Sequence, residues 1–410
     1  MRVLWLVSTA ANYQAHKRHL YNGCGWIVSL EDNLKKNEGI ELAQAFFVRS
    51  NEPSKTVIDG VAYYPIKDPY ASKAKVLASL FVSPRKIDER KLRLINQVIN
   101  DYKPDVIQVF GSEDVFGVIS KYTQVPVLIH IQGIINPYLS SFLPPFMSWK
   151  QYPGIAIKLR QRLLRQFDRK DWNYRAEREK EIIRLNKFFI GRTDWDERIT
   201  KLYNANAHYF KCWEILRGPF YDNNTVRILP SRLTLVTTIS NASYKGFDMI
   251  LKTADILKNV LDIDFEWNVY GAINAIFYEK IYKLKAEKLN ICLKGVGTPQ
   301  NIADSIMHAS VYMHPSYIDN SPNSVCEAMI LGCPVVACNV GGVSTLIEHG
   351  ETGFLVPSND PFQAAFFIRM LHSDIELNKK MGYSAKMVAS KRHNIETICE
   401  TMMEIYRNVK

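Results

Sequence analysis

The sequence has no CxxC pair and no apolar run long enough to cross a bilayer. Its seven cysteines are odd in number and mostly lie inside apolar runs, which is typical of buried thiols in a reducing compartment. The ligand spacing of a structural metal centre is also absent. The apolar start at 1–8 is too short for a signal peptide, so we interpret it as a buried first strand. We therefore expect a protein of the cytosol or of a membrane surface.

Disorder and low complexity are not indicated, because 47% of the 410 residues are apolar and 23% are charged, as in globular enzymes. This length is too great for one ordinary core and predicts two domains. The net charge of +11 favours polyanionic partners. Nucleic acid, anionic lipid and a diphosphate substrate all fit that charge equally well.

Short apolar strands alternate with amphipathic helical stretches, and this alternation occurs twice. It predicts an α/β protein of two Rossmann-like domains, whose parallel sheets face a cleft between them. Strands are predicted at 2–8, 41–48, 61–66, 105–111, 126–132, 188–191, 233–240, 265–271, 291–295, 311–315, 335–338 and 353–356. Helices are predicted at 26–36, 85–102, 247–259, 275–287, 300–308, 323–331 and 361–372.

The stretch 204–230 lacks clear periodicity and marks the predicted domain boundary. The first domain is placed at 1–210 and the second at 211–392. A helical pattern in 393–410 predicts a last helix that crosses back onto the first domain. Ligands of such sheets bind at the carboxyl ends of the strands, so the site is expected in the cleft.

The most informative stretch reads HPSYIDNSPNSVCEAMILGCPV and begins at His314. We interpret Ser321 as the N-cap and Pro322 as the first residue of a helix that stops at Gly332. The first turn of a helix leaves backbone N–H groups free, and these bind phosphate or a polarised sugar hydroxyl. The amides predicted to do so belong to Asn323, Ser324 and Val325.

Glu327 is the charged residue of the otherwise apolar helix 325–331. Burying it without partners would cost several kcal/mol, on the order of the values for unpaired charges. Ligand hydroxyls such as those of a ribose would satisfy it. A structural carboxylate, paired to the helix terminus or to neighbouring backbone, is the alternative that the helix alone leaves open.

Asp319 and Glu327 are separated by seven residues, and Gly-x-Pro-Val-Val and EHGETGFLV follow. Over about 294–357 this pattern resembles the Glu-x7-Glu region of retaining GT-B glycosyltransferases, the family-4-like group that builds bacterial polysaccharides. The resemblance implies that Glu327 contacts the nucleotide ribose and Asp319 the donor hexose, with Asn320 and Ser321 also in the donor site. The sequence departs from the family in having Asp at the first acidic position, which shortens its reach by one methylene.

Lys245 and Gly246 follow the first predicted strand of the second domain. They resemble the Lys-Gly element of the family, in which the lysine neutralises the donor diphosphate. Many members carry an arginine about five residues earlier, whereas this sequence reads SNAS at 240–243. One charge-assisted bond to phosphate contributes roughly 1.5–3 kcal/mol, so Arg192 or Arg217 is a candidate replacement. A surface lysine before a turn glycine is the alternative.

Two further elements of the first domain resemble the family. Gly23 and Gly25 follow the first strand, and they resemble the glycine-rich loop that faces the diphosphate and acceptor, with an ordinary turn as the alternative. The run GRTDWD, which contains Arg192, resembles the border of the family's first domain. Within it, Thr193 and Asp196 are predicted to cap the next helix.

His130 and Gln132 share one face of a predicted strand, because alternate residues of a strand point to the same side. Relatives often carry a histidine just before the glycine that is Gly133 here, and they use it at the donor sugar or the reacting centre. Both residues are therefore candidate sugar or acceptor contacts. A satisfied core histidine is the alternative for His130.

The segment 155–187 is strongly basic, with interleaved apolar residues. It predicts an amphipathic basic helix that docks on anionic lipid or on a lipid-diphosphate acceptor. The alternative is a solvated helix face. The corresponding location is the cytoplasm, peripheral to the inner face of the plasma membrane.

These features predict a retaining hexosyltransferase that moves a hexose from a nucleotide-diphosphate sugar to a glycan or lipid-linked acceptor in cell-surface polysaccharide synthesis. The resemblance implies that 211–392 bind the donor and 1–210 the acceptor. It also implies that Asp319, Glu327 and Lys245 act without a cofactor or a metal. A catalytically silent sugar-nucleotide-binding protein is the alternative. A nucleic-acid-binding protein is suggested by charge alone, without a recognisable motif.

Overall fold

The computed structural model describes residues 1–8, 10, 12–13, 25–49, 54–70, 82–145, 147–221 and 227–410. It contains two sheets, which confirms the predicted α/β architecture of two Rossmann-like domains. Among the described residues, no helix is long and apolar enough to cross a membrane.

The first sheet has eight strands in the order β3-β4-β2-β1-β5-β6-β7-β8. Its neighbours are parallel except for β3 and β4, which are antiparallel. The strands are β1 (Arg2–Leu6), β2 (Glu41–Val48), β3 (Thr56–Ile58), β4 (Val61–Lys67), β5 (Val106–Phe110), β6 (Val127–His130), β7 (Phe188–Gly191) and β8 (His208–Lys211).

The second sheet has six parallel strands in the order β11-β10-β9-β12-β13-β14. Its strands are β9 (Leu233–Thr238), β10 (Phe265–Tyr270), β11 (Ile291–Gly295), β12 (Val311–His314), β13 (Val335–Cys338) and β14 (Phe354–Val356). The chain order reverses between β9 and β12. This is the position where doubly wound sheets open a crevice for a ligand.

Helices cover both faces of each sheet. In the first half they are α1 (Gly25–Leu34), α2 (Pro84–Tyr102), α3 (Ile135–Ser140), α4 (Leu159–Leu164), α5 (Asp168–Leu185) and α6 (Asp194–Tyr203). In the second half they are α7 (Phe247–Asp255), α8 (Ala275–Tyr282), α9 (Pro299–Met307), α10 (Asn323–Ile330), α11 (Val343–Leu346), α12 (Pro361–Ser373), α13 (Ile375–Arg392) and α14 (Ile395–Val409).

Apolar side chains alternate between the two faces of the first sheet. In β1, Val3 and Trp5 enter one core cluster, while Leu4 and Leu6 enter the other. A parallel sheet covered on both faces requires such continuous apolar strands.

Three local predictions were wrong. Strand β8 lies inside the stretch read as an aperiodic boundary, and its side chains at the sheet edge are half-buried or exposed. Helix α8 ends at Tyr282 because Lys283 adopts a left-handed φ of 57°. The basic segment 155–187 is two helices, and α5 buries Ile182 and Ile183 rather than presenting a single basic face.

Helix α14 packs on the first sheet. Ile398, Met402 and Tyr406 join the core cluster that contains Trp5. The Trp5 indole donates to the Tyr406 hydroxyl at 3.0 Å, and that hydroxyl donates to the side-chain amide oxygen Oε1 of Gln108. The last helix is thus part of the core under β1 and β5.

A segment of the first half packs on the second sheet. Phe142, Tyr152 and Ile155 are buried in the same cluster as Leu235 and Trp267. The two halves are therefore joined by apolar packing as well as across the cleft.

Candidate active site

The position of Lys245 depends on the glycine that follows it. Lys245 closes a 3₁₀ turn after β9, and Gly246 adopts φ 74° before α7 begins. A Cβ at Gly246 would collide with the carbonyl oxygen of Pro315, at the end of β12. Glycine thus permits both the turn and the close approach of two strand ends.

Asp319 lies in the loop after β12 and is 7% exposed. Its Oδ2 atom is 2.6 Å from Lys245 Nζ and 3.3 Å from His314 Nε2. Burial raises the pKa of this carboxyl, but the nearby Lys245 and His314 outweigh burial and hold the pKa well below its ordinary value. The loop is fixed by the Gly342 amide, which donates to the Asp319 carbonyl at 3.0 Å. Asp319 is therefore a buried, ionised carboxylate.

Unsatisfied polar atoms collect at these strand ends. Among the described residues, both ring nitrogens of His314, Nε2 of His130 and Oγ of Ser316 are buried without an aligned hydrogen-bond partner. Burial lowers the pKa of both imidazoles, so they are neutral near pH 7. Because buried polar atoms are ordinarily paired, such a group of unpaired atoms at a cleft indicates a ligand site.

The first domain faces Asp319 with Tyr138, which follows β6. The Tyr138 hydroxyl donates to Asp319 Oδ1 at 3.4 Å. Nearby, Glu113 Oε1 accepts from the Gly133 amide at 3.0 Å, and burial raises the pKa of Glu113 to about 7. The carboxyl ends of β5, β6 and β12 thus meet across the cleft.

Glu327 is also buried, but Arg217 pairs with both of its oxygens. Arg217 Nε and Nη2 donate to its two oxygens at 2.7 and 2.8 Å in a bidentate fork. Burial raises the pKa of the Glu327 carboxyl, and Arg217 opposes this change.

Part of the chain is similar to a known family. Residues 230–374, which include Lys245, Asp319 and Glu327, match the family described as "Glycosyl transferases group 1". Over 160 residues the chain is 30% identical to an uncharacterized glycosyltransferase of Haemophilus influenzae, covering 38% of this chain and 44% of that protein. Over 225 residues it is 23% identical to the capsular polysaccharide biosynthesis glycosyltransferase CapM of Staphylococcus aureus, covering 55% and 52%. The chain thus spans about half the length of these relatives.

Solved structures give the fold over the whole chain. Sucrose-phosphate synthase from Thermosynechococcus elongatus superposes with a TM-score of 0.71 at 15% identity, covering 100% of this chain and 98% of that one. Anabaena Alr3699/HepE, solved with UDP and glucose, superposes with a TM-score of 0.66 at 13% identity, covering all of both chains. This chain therefore has the GT-B fold, and its residues 230–374 are similar to the group 1 glycosyltransferases.

The start of helix α10 differs from the prediction. The helix begins at Asn323 with Pro322 at the N-cap, and no side chain caps it. The prediction of Ser321 as the N-cap was therefore wrong. Its hydroxyl instead donates to Glu214 Oε1 at 2.8 Å. The Val325 amide donates to the Pro322 carbonyl at 2.9 Å, so it is not free, and the predicted anion site is reduced to the amides of Asn323 and Ser324.

Asn320 links the two domains. Its side-chain oxygen accepts from Thr193 at 2.6 Å, and its nitrogen donates to Asp196 at 2.7 Å and to the Gln132 carbonyl at 3.1 Å. The predicted cap by Thr193 is confirmed, since its hydroxyl accepts from the Asp196 amide. In this closed arrangement the Asn320 side chain is engaged with protein rather than open to a donor.

The two arginines considered as phosphate ligands both have acidic partners. Arg217 holds Glu327, and Arg192 Nη1 is 3.7 Å from Glu214 Oε2 while its guanidinium lies over the Trp26 ring. In the loop where many relatives have arginine, the Asn241 side chain instead donates to the Ile155 carbonyl at 2.8 Å. Of the basic residues predicted to bind the diphosphate, Lys245 is therefore the one that lies beside Asp319.

The remaining predicted contacts lie on the first domain. His130 ends β6, and its Nδ1 is 3.0 Å from Gln108 Nε2. The Gln132 carbonyl accepts from Arg192 at 3.3 Å. Gly25 is buried at the start of α1, while Gly23 lies outside the described residues.

Sequence reasoning missed a buried group formed by Glu214, Cys326 and His393, whose ligating atoms lie within 4.8 Å of one another. These residues are far apart in the chain, so spacing carried no signal for them. The Arg192 guanidinium already places a positive charge near this carboxylate, which opposes a second cation there. Glu113 and Tyr138 were also missed, although both follow strands whose carboxyl ends face the cleft.

Proposed function

We propose that this chain is a retaining hexosyltransferase that moves a hexose from a nucleotide-diphosphate sugar to a glycan or lipid-linked acceptor in cell-surface polysaccharide synthesis. The observation that carries the proposal is the arrangement at Asp319, where a buried carboxylate lies 2.6 Å from Lys245 and 3.3 Å from His314, whose Nδ1 has no hydrogen-bond partner among the described residues. A cation, a carboxylate and an imidazole with a free nitrogen together suit a ligand with both phosphate and hydroxyl groups. They lie at strand ends, where ligands of such sheets bind.

The relatives support the same class of reaction. CapM is named for capsular polysaccharide biosynthesis, and HepE was solved with UDP and glucose. For this chain, a sugar nucleotide as donor and a growing glycan as acceptor are the corresponding proposals.

In the proposed mechanism, Lys245 and the amides of Asn323 and Ser324 balance the negative charge that grows on the leaving diphosphate. The bond between the anomeric carbon and the phosphate oxygen breaks, and a bond to the acceptor oxygen forms on the same face. The departing phosphate takes the acceptor proton. Fixed charges of the protein stabilise this step, so we propose neither a metal ion nor a cofactor.

Asp319 and Glu327 are proposed to hold the donor. Asp319 would accept hydrogen bonds from hexose hydroxyls in place of the one that it accepts from Tyr138. Glu327 would accept from the ribose through lone pairs that Arg217 leaves unused, because a carboxylate offers about four acceptor sites.

The two domains are proposed to divide the substrates. Residues 211–392 bind the donor, residues 1–210 bind the acceptor, and closure of the cleft excludes water that would hydrolyse the donor. The contacts of Asn320 with Thr193 and Asp196 support a closed form. We place the enzyme in the cytoplasm, at the inner face of the plasma membrane.

The test is a thermal-shift screen of UDP- and GDP-sugars, followed by NMR of the product formed from the stabilising donor. We expect one donor to raise the melting temperature, because it binds only the folded protein, and the product to keep the anomeric configuration of the donor. Lys245→Ala and Glu327→Ala should both impair transfer. Unchanged transfer by either variant, or an inverted product, would contradict the proposed roles.

A catalytically silent sugar-nucleotide-binding protein is the second candidate. Two observations favour it. The charge of Lys245 is already balanced by Asp319, and the loop 240–243 carries no arginine that could bind the diphosphate. Calorimetry that gives tight binding of a nucleotide sugar, without turnover over a range of acceptors, would select this candidate.

A further inference from the structure

The segment 157–167 holds its apolar side chains in solvent. Ile157, Leu159, Leu163 and Phe167 are 57, 72, 56 and 55% exposed. All residues of α4 are described, and none of them is buried. A short helix without a buried residue gains little stability from burial within its own chain, so its exposed apolar side chains can enter the apolar part of a membrane.

The charges on this segment have one sign. Lys158, Arg160 and Arg162 are exposed among the apolar residues, and the sequence contains no Asp or Glu from 115 to 167. Apolar side chains interleaved with cations fit the boundary between anionic headgroups and acyl chains. They fit nucleic acid less well, because exposed aliphatic side chains gain little from a phosphate backbone.

The second domain extends the same surface. The Asn274 side chain donates to the Gly154 carbonyl at 3.1 Å, so the start of α8 is held against the segment that leads into α4. Beside it, Ile276 is 62% exposed. The exposed apolar residues therefore come from both domains.

A groove of about 850 Å³ runs between these two parts. Lys150, Arg162 and Lys280 line it together with Trp149 and Phe277, and none of the described residues that line it is acidic. Three cations around one groove suit a phosphate group. The neighbouring aromatic rings suit the apolar part of the same molecule.

We propose that residues 157–167 of the first domain, together with Ile276 and Lys280 of the second, form a docking surface for an anionic lipid bilayer, with a lipid phosphate in the adjacent groove. It deepens the proposed function by naming the membrane-facing side of the enzyme, and it rests on that function only for the source of the acceptor. Because vesicle binding requires no sugar donor, failure of this inference and failure of glycosyl transfer are separate results.

The test is co-sedimentation of the whole chain with vesicles of phosphatidylglycerol and phosphatidylcholine, against vesicles of phosphatidylcholine alone. The wild type should bind the first and not the second. Arg160→Gln combined with Arg162→Gln should weaken binding about 25-fold, since each surface cation contributes roughly fivefold. Leu159→Ser combined with Leu163→Ser should weaken it roughly tenfold through lost apolar burial. Lys280→Gln alone should weaken it about fivefold.

The control is Phe362→Ser combined with Phe366→Ser, on the exposed face of α12, where these rings are 68 and 50% exposed. This variant should bind vesicles as the wild type does. Equal loss in the control, full binding by the α4 variants, or tighter retention on duplex DNA than on vesicles would overturn the proposal. Full binding by Lys280→Gln would overturn the contribution of the second domain.

Discussion

Two buried carboxylates of the cleft are neutralised in different ways. Both oxygens of Glu327 are taken by one arginine, in a fork of 2.7 and 2.8 Å. Asp319 has Lys245 at 2.6 Å, a tyrosine hydroxyl at 3.4 Å and an imidazole at 3.3 Å that is poorly aligned for a hydrogen bond. The first carboxylate is neutralised by one bidentate fork and keeps only its remaining lone pairs for a ligand, whereas the second lies beside an imidazole whose nitrogens have no aligned partner in the part of the chain that the structure describes.

The difference shows that burial of a carboxylate does not by itself mark a ligand site. Glu327 was singled out because an unpaired charge in its helix would be costly, but Arg217, from a separate part of the chain, removes that cost. At Asp319 the unsatisfied neighbour, His314, is the informative group. The two sites should therefore respond differently to substitution.

The largest effect is expected from Arg217→Ala, which leaves Glu327 buried and unpaired. Breaking such a pair costs about 3–5 kcal/mol of the free energy of unfolding, measured by urea denaturation. Replacing both partners by methionine should cost less than the sum of the two single changes. The control Arg232→Ala breaks an exposed pair with Asp264 and should cost at most about 1 kcal/mol. Similar costs for the two arginine variants would contradict the contrast.

Lys245→Ala should have the next largest effect, this time on catalysis. Loss of a preorganised positive charge at the leaving group should lower the transfer rate on the order of 10²–10³-fold, measured as release of nucleoside diphosphate. Lys252→Ala is the matched control, because Lys252 pairs with Asp248 and not with Asp319. An equal loss in both variants would show that the effect is not specific to the group formed by Lys245, Asp319 and His314.

Gly246→Ala tests how much the turn that positions Lys245 beside Asp319 depends on glycine. The substitution forces a Cβ into a left-handed backbone and against the Pro315 carbonyl, and it should cost about 2–3 kcal/mol of unfolding free energy. Gly60→Ala also adds a Cβ at positive φ, but nothing lies within 4 Å of it. Gly60→Ala should therefore lose less stability in the same urea series. The difference between the two variants measures the collision with Pro315 separately from the backbone strain that both share.

Glu113→Gln should give the smallest effect and the one that depends on pH. The folded protein raises the pKa of Glu113 from 4.5 to about 7, so it binds an extra proton between these values, and wild-type stability falls as pH rises through this window. Glutamine removes the penalty, so the variant should be more stable by on the order of 2 kcal/mol above pH 7. The difference should vanish below pH 4.5. A stability gain that stays constant with pH would refute the assignment.

The sequence predicted the sheets well because their strands are continuous apolar runs. Strands β2, β7, β11 and β13 have the predicted bounds. The missed strands β3 and β8 lie at the two edges of the first sheet, where exposed or half-buried residues such as His208 and Tyr209 give no burial pattern. Periodicity therefore located the core strands and failed at the edge.

The candidate site was predictable in part. The neighbourhood of Lys245 and Asp319 follows from both residues lying just after strands of one parallel sheet. The partners of the two acidic residues were not predictable, because Tyr138 reaches Asp319 from the other domain and Arg217 reaches Glu327 from a loop 110 residues away in the chain. Tertiary packing, and not the local sequence pattern, decides which charged side chains already have a partner within the protein.

The helix α14 has a consequence for synthesis of the chain. Tyr406 and Met402 complete the core beneath β1, so the sheet built from residues 2–211 keeps an open apolar face while the second domain is being translated. Only when residues 395–409 emerge from the ribosome can that face close. The first domain to be made is therefore the last to finish folding, and a nascent chain paused before this helix would be the species most in need of a chaperone.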